Sequence, residues 1–165
     1  MPEIATFRVY PGFRNREHNT GIRGLYFVVR VYTTLAEMRK CCAEDGTSPA
    51  NFFQGAYGAC QKWQIKSVKP KRGKRKGRPA RTKEAGQIML ARRHLGVAIV
   101  SHECAHAACY WFSRIKCKSE RAWVKDVTKV EDVIQEEMLC YAVGELSRQV
   151  YLGLEEAGVL KLTRG

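Results

Sequence analysis

The chain has 165 residues and a mass of 18.8 kDa, enough for one domain with one core and too little for a second. Hydrophobic residues make up 45% and aromatics 10%, which excludes overall disorder, and no apolar run approaches the roughly 18 residues of a membrane span. Lys and Arg number 29 against 16 acidic residues, a net charge of +13; nine of these cations fall between Lys69 and Lys83 with no acid among them, leaving +4 for the rest of the chain.

Ala5–Tyr10 alternates and stops at Pro11-Gly12, the pattern of a short strand. Arg14–Gly24 is polar and reads as a loop. Leu25–Tyr32 is rich in β-branched and aromatic residues and predicts a second strand. Thr34-Leu35-Ala36-Glu37 fits a capping box, opening a helix to about Glu44. Gly46–Asn51 is a loop. Phe52–Val68 holds one or two strands, with Tyr57–Ile65 the best stretch.

The basic run 69–83 contains Gly73, Gly77, Pro70 and Pro79 and no large apolar side chain, so it predicts an unpacked loop between two strands. Gly86–Ala91 reads as the next strand, followed by a long helix from about Leu95 to Phe112. A polar connection covers Arg114–Thr128, and a last helix runs from about Val130 to Glu156, ended by Gly158. The order β-β-α-β-β-α-α is that of a single α+β domain over residues 1–165.

The opening residues Met1 to Ile4 have neither the basic nor the apolar region of a secretory signal, which predicts a cytoplasmic location. Seven cysteines, an odd number with no CxxC pair, fit reduced thiols that serve as small core residues rather than a zinc ribbon.

The helix near residue 100 carries the chemistry. Val97–Phe112 is apolar on nearly every side and predicts burial, yet Ser101, His102, Glu103 and His106 interrupt it. Buried imidazoles and a carboxylate without partners cost several kcal/mol by transfer estimates of order ~2–7, so something must satisfy them. His102 and His106, four apart, share one helix face and can bind one metal ion, while Glu103 can reach a water on that metal. His102-Glu103-Cys104-Ala105-His106 is thus His-Glu-x-x-His, the zincin motif. The bland alternative is a hydrogen-bonded pair of core histidines.

A catalytic zinc takes three protein ligands and one water. A metzincin would have a third His at position 112, which holds Phe112. His18 and His94 lie upstream, and His94, beside Arg92 and Arg93, reads as an exposed residue at a loop end. A carboxylate on the last helix is left as the expected third ligand.

In this respect the chain resembles the gluzincins, and more narrowly the small ImmA/IrrE-like and phage-encoded metallopeptidases, over roughly residues 86–150. In that group a Glu on a second helix follows the motif in a Glu-x-x-x-aromatic-Ala setting. Glu137-Met138-Leu139-Cys140-Tyr141-Ala142 matches it, 31 residues after His106, and departs from it at Met138-Leu139, where the family has Ala-Asn. On a helical wheel Glu137 falls among Val130, Val133, Ile134 and Tyr141, with Glu136 at the side of that cluster and Asp132 a remoter choice.

The resemblance implies a minimal zincin-like α+β domain, with a small mixed or antiparallel sheet packed on the motif helix and a C-terminal helix. It also implies bound Zn2+, a phage or bacterial origin, and cleavage of an intracellular protein or peptide. Glu103 would be the general base, and Tyr110 and Tyr141 are candidates for oxyanion stabilisation, although core packing suits both. By the same resemblance Gly86–Ala91 is the strand along which extended substrate would pair.

The basic run offers Lys71, Arg72, Lys74, Arg75, Lys76 and Arg78 for sequence-independent contact with nucleic-acid phosphates. It lacks interleaved aromatics for base stacking, and the plain alternative is a loop that keeps the protein in solution. The rival to a peptidase is therefore a nucleic-acid-binding accessory protein on a zincin-like scaffold.

Overall fold

Period-two alternation builds the first two strands. In Glu3–Val9 (β1) the odd-numbered residues Ala5, Phe7 and Val9 turn to the core while Ile4, Thr6 and Arg8 are exposed. Tyr26–Tyr32 (β2) buries Phe27, Val29 and Val31 on the same side and pairs antiparallel with β1, Phe7 opposite Val29. The computed structural model describes residues 3–11, 25–44, 56–62, 84–116 and 131–161. The loops expected at Arg14–Gly24 and Gly46–Asn51 and the basic run at 69–83 lie outside the described residues.

Leu35–Glu44 (α1) opens as its capping box dictates. The Glu37 N–H donates to Thr34 Oγ1 at 3.3 Å, and the Thr34 N–H donates back to Glu37 Oε2 at 3.0 Å. The Arg39 guanidinium then donates to the Ala56 carbonyl from Nε and Nη2 at 3.1 and 2.9 Å, fastening α1 to the chain entering Gly58–Lys62 (β3).

Glu84–Ala91 (β4) is buried at every residue after Glu84, because it runs through the middle of the sheet with helices over both faces. The sheet order is β1-β2-β4-β3, with β2 and β4 parallel and the two outer pairs antiparallel, so the sheet is mixed. Ile88 and Leu90 enter the larger core; Met89 and Ala91 face the other way, onto Met38 and Cys42 of α1. Two buried amides share this second side. Gln87 Nε2 donates to Gln61 Oε1 at 2.7 Å, and Gln61 Nε2 donates to the Cys42 carbonyl at 3.1 Å, so neither side chain is stranded.

After a 3-10 turn at Arg92–His94, Val97–Lys116 (α2) and Glu131–Glu156 (α3) cover the first side. Cys104, Ala107, Ala108, Trp111 and Phe112 of α2 share the larger core with Ala142, Leu146, Val150 and Leu154, a four-residue stripe down α3. At the end of α3, Gly158 takes φ 67°, and the Val159 N–H returns to the Leu154 carbonyl at 2.9 Å. Further contacts bind α3 to β1. Gln149 accepts from the Tyr10 N–H at 2.8 Å and donates to the Tyr10 carbonyl at 2.9 Å, and Gly153 lies directly against the Phe7 ring.

Among the described residues the result is a small α+β fold of one mixed four-strand sheet and three α-helices, in the element order expected. Three expectations need correction. Position β4 is an interior strand, so Gly86–Ala91 has no free edge on which substrate could pair; the edge strand on that side is β3. The long helix starts at Val97 rather than Leu95, the preceding residues forming the 3-10 turn, and it continues past Phe112 to Lys116. It is also not covered all round: Val97, Ala98, His102 and His106 are exposed.

No described helix is long and apolar enough to cross a membrane. Among the described residues Cys41, Cys42, Cys60, Cys104, Cys109 and Cys140 are free thiols.

Candidate metal centre

The i, i+4 spacing on α2 sets His102 above His106, and both rings stand at the surface. Their Nε2 atoms are 3.2 Å apart, with ring centroids separated by 4.7 Å and ring planes at 87°. Two imidazoles on one tetrahedral zinc, at bond lengths of about 2.0–2.1 Å, hold their nitrogens about 3.3–3.4 Å apart. The pair is therefore spaced to fit one metal ion. The same separation also suits an Nε2–H donor on one ring and an acceptor on the other. Tyr110, one turn beyond, stacks on His106 at 24° with centroids 6.3 Å apart. Burial, and then the neighbouring His102, lowers the pKa of His106, favouring the neutral ring that binds metal.

Exposure of both histidines overturns the argument that burial obliges them to find a partner. That argument holds for Glu103 alone. One position along a helix is a turn of about 100°, and this rotates Glu103 inward, where it is 5% exposed and lies against β3.

Its pocket is made of neutral groups. Burial pushes the Glu103 carboxyl up to about 7, and the backbone N–H of Cys60 draws it partly back. Burial raises the Cys104 thiol to about 11, and Cys60 is raised well above the usual thiol range by burial with Glu103 nearby. A carboxylate near neutrality in dry surroundings is suited to exchange a proton with a reacting water.

The structure brings together His102, His106 and, behind them, Glu103. It does not bring Glu137 to the histidines: among the described residues no third His, Cys, Asp or Glu joins them in a group that could hold a metal. Glu137 is exposed on α3, as is Tyr141, whereas the wheel had set both within an apolar cluster. The buried stripe runs instead through Ala142 and Leu146. The side chains of Asp132 and Glu136 lie outside the described residues.

His94 is half-buried in the 3-10 turn, with its ring 4.9 Å from that of Tyr57 rather than beside the pair. Lys71, Arg72, Lys74, Arg75, Lys76 and Arg78 lie outside the described residues, between the end of β3 and the start of β4.

Sequence reasoning placed β3 within Tyr57–Ile65 but missed that it packs against Glu103. Gly58 is buried, and its Cα faces the Glu103 side chain. The available signal was a lone Gly within a strand-like run, a common mark of close backbone approach. No family model matches the chain, and no characterised protein or solved structure matches it either.

Proposed function

We propose that the chain is a zinc-dependent metallopeptidase of minimal zincin-like build, acting on an intracellular protein. The observation that carries this reading is the pair of Nε2 atoms 3.2 Å apart on α2, backed by a buried carboxyl one residue from the first histidine. His102 and His106 would hold the metal; Glu137 of α3, the third ligand its sequence setting suggests, would have to leave its exposed position to reach them. Bound zinc would supply Lewis acidity toward the scissile carbonyl and an acidified water. Glu103 accepts the proton of the attacking water and delivers it to the departing amine, and a carboxyl near pH 7 can do both.

The test is metal analysis of the purified protein together with cleavage of a peptide library. One zinc per chain and turnover abolished by a chelator are expected. A protein that takes up no zinc would overturn the reading.

Nine cations within residues 69–83 favour a second reading, an accessory protein that binds nucleic acid on the same scaffold. The two readings meet if the protein substrate is itself held on nucleic acid.

A further inference from the structure

Behind the histidines, β3 and α2 approach more closely than side chains on both would allow. A Cβ placed on Gly58 would lie 2.8 Å from Glu103 Cγ, 3.1 Å from Glu103 Oε1 and 3.0 Å from Ile99 Cγ2. The first contact is shorter than carbon atoms tolerate, and the atom it strikes is the middle of a buried side chain, not a free tip. Two residues on, the Cys60 N–H acts on the same carboxylate. Gly58 pairs with Leu90 and Cys60 with Ile88, so both positions are fixed by the interior strand.

We propose that Gly58 is a positioning residue for Glu103: the absence of its side chain leaves the one space in which the Glu103 carboxyl can lie beside the Cys60 N–H with its Cγ against β3. This rests on the peptidase reading for its catalytic meaning, but the steric coupling does not. Any side chain at position 58 drives the Glu103 methylenes out of that space and carries the carboxyl away from where it would meet a water beside His102. The effect passes through Glu103 and not through the metal ligands, which stand on the exposed face of α2.

The experiment is a double-mutant cycle of Gly58→Ala and Glu103→Ala, read in two ways. In metal-free protein, urea unfolding should show Gly58→Ala lowering the midpoint clearly in the parent and much less beside Glu103→Ala, where the obstructing Cγ is gone. In zinc-loaded protein, Gly58→Ala should keep the metal, lose at least tenfold in kcat with KM within about twofold, and add nothing to the loss caused by Glu103→Ala.

If Gly58→Ala alone fails to fold, recovery of a folded protein in the double variant supports the coupling, and failure of both overturns it. Unchanged kcat in Gly58→Ala, or equal destabilisation in both backgrounds, also overturns it. If the parent hydrolyses nothing, the peptidase reading falls, and the unfolding cycle by itself decides whether Gly58 holds Glu103.

Discussion

Glu103 is the residue at which the proposed chemistry and stability pull against each other. In an unfolded chain its carboxyl titrates near 4.5; in the fold, burial holds it at about 7. The folded state therefore keeps a proton that the unfolded state has lost, and metal-free protein should lose stability as pH rises from about 4.5 through 7. The full contribution is present below the lower value, and the amount lost is on the order of 3 kcal/mol. Glu103→Gln should flatten this slope and leave the metal-free protein more stable at pH 8, as urea midpoints at pH 5 and pH 8 will show. An unchanged slope would remove Glu103 as its cause. With zinc present the same substitution should retain the metal and lose 10²- to 10⁴-fold in turnover, since an amide cannot accept the water proton. His102→Ala and His106→Ala, by contrast, should each lose the metal.

At the level of single elements, the start of α1 and the strand character of β4 were legible in the sequence and the open faces were not. Thr34 and Glu37 announce α1 because their hydrogen bonds are local and need no tertiary partner. Gly86–Ala91 announces β4 because a strand covered on both sides is apolar at nearly every position, Gln87 being the exception. That same run says nothing about which neighbour lies beside it, so the sequence reading gave β4 a free edge that it does not have. For α2, Val97 and Ala98 are apolar yet exposed, and no periodicity records that the helix has one uncovered side.

The apolar face of α3 was misplaced for a related reason. Tyr141 counted as a core residue on the wheel, but it is 58% exposed. Third-ligand candidates on α3 can be ranked by zinc affinity: Glu137→Ala should weaken binding far more than Glu136→Ala, and the reverse order would shift the assignment by one residue. The packing of α3 on β1 has its own test. A Cβ at Gly153 would overlap the Phe7 ring, so Gly153→Ala should cost about 1–3 kcal/mol in urea unfolding, with zinc content unaffected.

Across the whole molecule, charge and site are separable. The +9 run belongs to the connection between β3 and β4, while the histidine pair belongs to α2. Deleting residues 69–83 should lower affinity for any nucleic acid and flatten its salt dependence, without favouring particular sequences. Zinc content and cleavage of a short free peptide should persist, and cleavage of a protein held on DNA should fall as local concentration is lost. Gel shifts over a salt series, beside a peptide assay, read all of these outcomes. Unaltered DNA binding at low salt would leave the run with solubility as its role.

The clasp between Tyr10 and Gln149 joins residues 139 positions apart, and this bears on the order in which the chain assembles. β1 and β2 can pair early, but β2 finds its parallel neighbour only after β4 has been made, and the underside of β1 waits for α3. Contacts that close so large a loop are unfavourable before the rest of the core exists, so the clasp forms on the native side of the folding barrier. Gln149→Ala should accordingly speed unfolding and leave the refolding rate nearly unchanged, a low-φ signature that stopped-flow chevrons would resolve. A ribosome-bound chain halted before α3 would present Phe7 without the helix that packs on it, which makes the last helix the step that ends this exposure to chaperones.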